Sequence, residues 1–456
     1  MANFSKSHVP QFSVEVYQNE FLPEGGREVS AIVTVSATGG GTTGGLPLGG
    51  RAGAPSDLPH PPPGAGAAVV VMVDCSGSME YPPTKMRHAR DATAAAIATL
   101  RDGTEFAVVS GTHLAGEVYP GGGRLAIADE STRAQARAAL DRLSAGGGTA
   151  IGTWLRLADR LLARSQGAIR HGILLTDGRN EHESPEDLRS TLASVEGLFT
   201  CDARGVGTDW EVKEVNAIAS ALLGSADIVA DPAGLTADFT AMMEKVMGKG
   251  VADVALRLWT PVGVEVQFVK QVAPTVEELT HRRTETAPRA GDYPTGSWGD
   301  ESRDYHISVR VPSAEIGQEM LAARASLVLP GDDGGGSSGG LAQGLIRAVW
   351  TDDMAASTAL NPQVAHYTGQ AELADAIQQG LNARKSGDFD GATAKLGRAV
   401  QLAEASGNED TAKLLSKVVD VVDAATGTVR LKATVADADE MTLETRSTKT
   451  VRVKKQ

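Results

Sequence analysis

Alternating apolar and polar positions predict two β-strands within residues 9–37. Phe12, Val14 and Val16 share one face of the first, and Val29, Ala31, Val33 and Val35 one face of the second. Pro23-Glu24-Gly25-Gly26 between them reads as a turn. Two strands alone are not stable in water, so this pair needs partners elsewhere. Residues 38–66, with Gly39-Gly40-Gly41 and Pro61-Pro62-Pro63, read as a linker without a packed core. The texture then changes. Ala68–Val73 is an unbroken apolar run, the mark of a strand buried on both faces. Helical stretches follow near 84–100, 132–143, 151–162, 185–195, 212–222 and 235–247. Short strands near 106–109, 173–175, 198–206 and 228–230 separate them. This alternation predicts a doubly wound, Rossmann-like α/β domain over 67–249, with a parallel sheet and helices on both faces.

Strand patterning returns at Val251. Val254, Leu256 and Leu258 alternate, then Val262 to Phe268, Tyr305 to Val311, and Ala325 to Leu329. These supply the partners the first two strands need. Residues 1–37 and 250–330 are therefore expected to form one β-sandwich with the α/β domain inserted into it. Gly331–Gly340 reads as a second linker. The remainder, 341–456, reads as a helical region, with helices at 341–350, 370–384, 392–405 and 410–422. The stretch 429–453 alternates again as terminal strands or a tail. The helix–turn–helix around Gly387-Asp388 resembles a tetratricopeptide (TPR) pair, although no 34-residue period repeats.

Composition narrows the function classes. At one domain per ~150 residues, 456 residues suggest about three domains. A net charge of −14 argues against a general nucleic-acid binder, which needs a basic surface. Cys75 and Cys201 are too few for a disulfide framework or a four-thiolate zinc site. The longest apolar stretch, 65–73, is far short of the ~20 residues that span a bilayer. Residues 1–16 contain no apolar run of signal-peptide length. A cytoplasmic protein is the expectation.

Three loops carry the candidate chemistry: Asp74-Cys75-Ser76-Gly77-Ser78 after the apolar strand, Gly146-Gly147-Gly148-Thr149 before a helix, and Thr176-Asp177-Gly178 after a second strand. In an open α/β sheet, ligands bind beyond the carboxyl ends of the strands, where the first and third loops lie. Two carboxylates and three hydroxyls are hard oxygen donors. They suit Mg²⁺, Mn²⁺ or Ca²⁺ and disfavour Zn²⁺ or copper. Plainer roles exist for each residue. Asp74, Ser76, Ser78 and Thr149 are all favoured at helix N-caps, and Asp177 suits an Asx-turn.

The order Asp-x-Ser-x-Ser, Gly-Gly-Thr and Thr-Asp-Gly, each in its strand context, resembles the von Willebrand factor type A domain and its metal-ion-dependent adhesion site. The resemblance covers about 67–248 and implies that Asp74, Ser76, Ser78, Thr149 and Asp177 form that site. In the family the Ser and Thr hydroxyls usually bind the ion directly, while one or both Asp often act through water. The whole arrangement also resembles a group of bacterial cytoplasmic proteins, often actinobacterial.

The function expected is a non-enzymatic module that engages a carboxylate on a protein partner through the ion. A regulatory subunit working beside an AAA+ ATPase is the alternative, since some family members act so in metal chelatases. A metal-dependent hydrolase is the third and weakest reading. No Gly-x-Ser-x-Gly elbow with downstream Asp and His, and no Gly-x-x-x-x-Gly-Lys-Ser/Thr loop, supports catalysis. His171, His182 and His306 show no paired spacing and read as structural or surface. Cys201 reads as a small core residue, Trp298 as a turn anchor, and the basic run 446–455 as a solvated face.

Overall fold

The computed structural model describes residues 10–39, 66–165, 167, 169–329 and 341–452. The linkers read at 38–66 and 331–340 fall almost wholly outside them. The chain divides into two compact units. One comprises Gly39–Ala252 with Gly296–Asp300, the other Gln11–Thr38, Asp253–Thr295 and Glu301–Gln456. There are two units, not about three, because the flanking strands and the C-terminal helices share the second.

Three strands come first and belong to the second unit: β1 (Gln11–Gln18), β2 (Phe21–Leu22) and β3 (Glu28–Thr38). The first unit follows. It runs β4 (Ala67–Asp74), α1 (Thr84–Thr99), β5 (Glu105–Gly111), β6 (Ala115–Tyr119), β7 (Ala126–Ile127), α2 (Glu130–Leu140) and α3 (Ile151–Leu162). It continues with β8 (Ile169–Thr176), α4 (Pro185–Val195), β9 (Thr200–Val206), α5 (Val212–Ala221), β10 (Ala226–Val229) and α6 (Leu235–Met247). The strand order is β10-β9-β8-β4-β5-β6, with β7 also on β5.

The sheet is mixed, which corrects the all-parallel expectation. β10, β9, β8, β4 and β5 are parallel, whereas β6 and β7 run antiparallel to β5. The turn at 112–114 is too short for a crossover helix, so the chain folds straight back; Thr112 Oγ1 donates to Leu114 O at 2.8 Å. β6 is a half-exposed edge with a weak alternation, which is why the pattern passed over it.

Every residue of β4 is buried. Val69, Val71 and Val73 pack with Ala89, Ala92 and Ala96 of α1 and with Phe239 and Met243 of α6. α3 covers β4 and β5. A strand covered on both faces needs no polar side, so its run is continuous. Asp74 pairs with Gly111, and Val73 with Leu175. The loops after β4, β5 and β8 therefore leave the sheet at one edge.

In the second unit the chain continues as β11 (Ala255–Trp259), β12 (Glu265–Ala273), β13 (Glu277–Glu278), β14 (Thr284–Ala287), β15 (Ala290–Pro294), β16 (Glu301–Arg310), β17 (Glu319–Val328) and β18 (Ala342–Trp350). One sheet has the order β1-β3-β16-β12-β13 and another β14-β15-β11-β17-β18-β2. The first strands thus do pair with strands beyond residue 252: β3 lies antiparallel on β16 and β2 parallel on β18. The stretch 341–350, read as a helix, is strand β18, antiparallel to β17. Ile346, Ala348 and Trp350 are buried while Leu345 and Arg347 are exposed, a period of two. The helical region therefore starts later, with α7 (Met354–Thr358), α8 (Pro362–Lys385), α9 (Phe389–Ser406) and α10 (Glu409–Val418). β19 (Val419–Asp423) pairs with β20 (Thr428–Leu431), and α11 (Asp437–Arg446) follows. So 419–422, read as helix, is strand, and most of 429–453 is not.

Asp304, on β16, ties this unit together. It accepts hydrogen bonds from Thr34 Oγ1 at 2.6 Å, from the Tyr367 hydroxyl on α8, and from Arg452 Nε and Nη2 at 2.8 and 2.6 Å. Two residues on, His306 is buried edge-on to Phe268, with ring centroids 4.9 Å apart. Burial, aided by Lys270, pushes its pKa down from 6.5 to about 4. The unfolded chain binds a proton near pH 6.5 that the folded protein refuses until about 4, so stability falls as pH drops through that window. We expect a loss of about 3 kcal/mol from this residue. Urea midpoints between pH 7 and 4 for wild type and His306→Gln check it: identical slopes would rule the effect out.

Candidate functional site

Asp74 ends β4, and its side chain is fully buried. Its Oδ1 accepts from the Ser76 backbone N–H at 2.8 Å, and its Oδ2 from Thr176 Oγ1 at 2.8 Å. Asp177, also fully buried, follows β8. Its Oδ1 accepts from Ser78 Oγ at 2.6 Å. Ser78 Oγ in turn lies 2.9 Å from Ser76 Oγ. Four of the five residues singled out from the sequence are thereby joined in one hydrogen-bonded chain.

Thr149 completes the group. A Cβ placed on Gly178 would lie 2.9 Å from Ser78 Oγ and 3.6 Å from Thr149 Oγ1, so both hydroxyls border that glycine. Any side chain at 178 would push the Ser78 hydroxyl away. The loop bearing Thr149 is zipped to the loop bearing the serines: Gly77 N–H donates to Gly147 O at 2.9 Å, and Gly146 N–H to Cys75 O at 2.8 Å. Gly147 makes this turn at φ +86°, a left-handed conformation that favours glycine. Gly77 does not; its φ is ordinary, and a Cβ there would meet only Gly147 O at 3.5 Å.

The plainer roles are largely taken by other groups. The N-terminus of α3 is capped by Asn180 Oδ1 and Glu183 Oε2, which accept from the N–H groups of Ile151 and Gly152 at 2.8 Å each. Thr149 is therefore not its cap. Ser76 precedes the short helical turn at Gly77–Glu80 without a side-chain cap bond. Asp177 turns its oxygens to Ser78 and Lys85, not to its own backbone. Asp74 does serve an Asx-type turn through Oδ1.

Two carboxylates held this close repel. Burial first, and then the Asp177 charge, raises the Asp74 pKa from 3.8 to about 6. The Cys75 thiol is pushed up to about 12 by burial and by Asp74. It donates to Val73 O at 3.5 Å, within its own strand segment. The cluster is an all-oxygen set with excess negative charge, which fits a hard cation. Among the described residues no group of three or more His, Cys, Asp or Glu could hold a metal ion, so a cation here would rely on the hydroxyls beside the two carboxylates. The cluster opens to solvent at Ser78, and Tyr81 and Leu114, at the same sheet edge, are largely exposed.

Several supporting residues escaped sequence reasoning. Lys85 places its ammonium 2.6 Å from Asp177 Oδ2 and is buried. Its signal was available: Lys85, Ala89, Ala92 and Ala96 fall on one helical stripe, so the lysine lies on an otherwise apolar face. Thr176, Asn180 and Glu183 gave no comparable signal, because their roles depend on loops meeting across the sheet edge. His182 is exposed and accepts from the Thr149 N–H at 3.4 Å through Nδ1.

Known proteins resemble this chain in sequence and in fold. The family model described as von Willebrand factor type A domain matches residues 69–180, and that of the von Willebrand factor type A C-terminal domain matches 401–447. A solved von Willebrand factor type A structure from Catenulispora acidiphila is 51% identical, covers 98% of this chain and 99% of its own, and has a TM-score of 0.88. The chain belongs to the von Willebrand factor type A family. The crystal structure of the ArnB paralog VWA2 from Sulfolobus acidocaldarius shares the fold at 15% identity, with a TM-score of 0.56 over 95% of this chain and 97% of that one. An uncharacterised protein of Synechocystis sp. is 27% identical over 217 residues, 46% of this chain and 49% of that one. The type A chain thus spans about half the length of that curated relative. Among the described residues of this type A protein, no helix is long and apolar enough to cross a membrane.

Proposed function

We propose that the protein is a non-enzymatic binding module. Asp74, Ser76, Ser78, Thr149 and Asp177 hold a divalent cation, Mg²⁺ first and Mn²⁺ or Ca²⁺ as alternatives, to which a carboxylate of a protein partner attaches. The observation that carries this reading is the pair of buried carboxylates, Asp74 and Asp177, kept together by hydroxyls at a solvent-open sheet edge. Such an arrangement costs free energy unless a cation offsets it.

The protein's own groups orient the donors. The Ser76 N–H and Thr176 hydroxyl fix the Asp74 carboxylate, the Ser78 hydroxyl fixes that of Asp177, and the zipped glycine loop presents Thr149. A bound divalent ion supplies Lewis acidity for an external anionic oxygen. Ser78 is the exposed member of the five, so an external oxygen would reach the cluster beside it.

The non-enzymatic reading is supported by the nucleophile candidates. Cys75 is a buried thiol, and the Ser76 and Ser78 hydroxyls bond to each other and to Asp177, not to a histidine. Two buried free thiols suit a reducing, cytoplasmic setting. We also read the two larger sheets of the second unit as a β-sandwich whose chain is interrupted by the inserted α/β segment. In support, Gly344 of β18 leaves room for Val14 and Val16 of β1, which a Cβ would meet at 2.9 and 2.5 Å. The α8–α9 pair, read as TPR-like, offers a second docking surface.

Capture from native lysate tests the reading. Partners should be retained in Mg²⁺, released by EDTA, and absent from Thr149→Ala beads. An AAA+ ATPase in the eluate would specify the partner class. A partner set that ignores both EDTA and the substitution would overturn the proposal.

A further inference from the structure

Lys85 is a group at this site that cation binding does not require and, on charge alone, opposes. Its ammonium is buried on α1 and sits 2.6 Å from Asp177 Oδ2, while Ser78 takes Oδ1. Both oxygens of Asp177 are thus engaged within the protein. A second carboxylate stands near the same ammonium: Asp209 Oδ2 is 3.8 Å from Lys85 Nζ. Asp209 belongs to the loop after β9, and its side chain is 73% exposed. Gly207 of that loop lies beside the lysine stem; a Cβ there would be 3.9 Å from Lys85 Cε. The ammonium therefore has two acceptors, one inside the cluster and one at its margin.

We propose that Lys85 is a built-in counter-cation that neutralises Asp177 while no divalent ion does, and that yields this carboxylate by swinging to Asp209. The inference rests on the cation-binding reading above. The physical reason is charge. A buried carboxylate pair without a cation is costly, and Lys85 relieves that cost in the ion-free protein. The same positive charge opposes a divalent ion on Asp177 unless it withdraws. Lys85 thus makes the ion-free cluster tolerable, and it lowers the affinity of the site by the same amount.

Mg²⁺ titration calorimetry and thermal unfolding of the full chain, with and without saturating Mg²⁺, test this. Lys85→Met keeps the stem and removes the charge, and should bind Mg²⁺ at least about tenfold more tightly than wild type. Its melting temperature should be lowered without Mg²⁺ and recover toward wild type with it. A purely structural lysine would lower stability equally in both conditions and leave affinity unchanged or weaker, and that result overturns the inference. Asp209→Ala, a change at an exposed side chain, covers the case in which Lys85→Met does not fold. It should bind Mg²⁺ about threefold more weakly, because the displaced ammonium loses its acceptor; an unchanged affinity overturns the swing. No heat from wild type or any variant removes the cation site itself. Heat from wild type with no gain in Lys85→Met removes only the role of Lys85.

Discussion

Asp74→Asn is expected to weaken Mg²⁺ binding by at least about 100-fold, some 2.7 kcal/mol, while leaving the fold intact. The asparagine oxygen can still accept from the Ser76 N–H, and its amide can face the Thr176 hydroxyl, so the local turn survives. The charge is lost, and with it the acceptor of the Asp177 N–H, which lies 3.3 Å from Asp74 Oδ2. The metal-free variant should be more stable than wild type at neutral pH. Burial and Asp177 raise the Asp74 pKa from 3.8 to about 6, so an ionised Asp74 costs up to about 3 kcal/mol above pH 6. Wild type without metal should therefore gain stability from this residue as pH falls from about 6 towards 3.8, because the folded state takes up the proton first. Asp74→Asn should lack that gain. Calorimetry with Mg²⁺ and denaturant titrations at pH 7 and 5 check both halves. Equal heats for the two proteins would end the assignment of Asp74. A variant that binds poorly because it unfolds would instead show its loss in the denaturant curve.

Gly111→Ala is expected to cost about 3 kcal/mol or more, the range of severe overpacking, and to lower cation affinity with it. A Cβ at this position would lie 2.2–2.6 Å from ring atoms of Trp154, which is fully buried on α3. The indole cannot retreat, because its Nε1 donates to Thr112 O at 2.7 Å and the ring is packed on all sides. Gly111 also pairs with Asp74, and its carbonyl accepts from Cys75 N at 2.7 Å. The clash would move the start of α3, and Thr149 with it, away from the Asp74 loop. Gly77→Ala is the matched control. It lies within the cation loop itself, yet it meets only Gly147 O at 3.5 Å and has no positive φ. It should change stability by less than about 1 kcal/mol. Urea unfolding of the two variants separates them, and equal stabilities would show that the Gly111–Trp154 packing is not tight.

These two glycines show what sequence alone does not rank. Gly77 stands inside the motif, yet its φ is ordinary, whereas Gly147, one of three consecutive glycines, turns at a left-handed φ. Gly111 carried no motif at all. Its importance arises from an indole 43 positions away that packs directly on its Cα. Lys85 is an intermediate case: its stripe on α1 was visible, but its partner, 92 residues later, was not. The strand at 342–350 was misread because short apolar runs satisfy helical and extended periods alike. Its pairing with β17 settled the matter.

Apart from the edge strands β6 and β7, the order and type of the α/β elements, the buried character of β4, and the five oxygen-bearing residues were written in the chain. Local periodicity fixes which face of a segment must be buried, and short motifs preserve their residue types at close spacing. Which way the edge strands run, which helix end Asn180 and Glu183 cap, and that Lys85 rests on Asp177 came from folding alone. Those features depend on segments far apart in the chain that meet at one sheet edge. Their geometry is set by strand register and packing, which no local stretch of residues encodes.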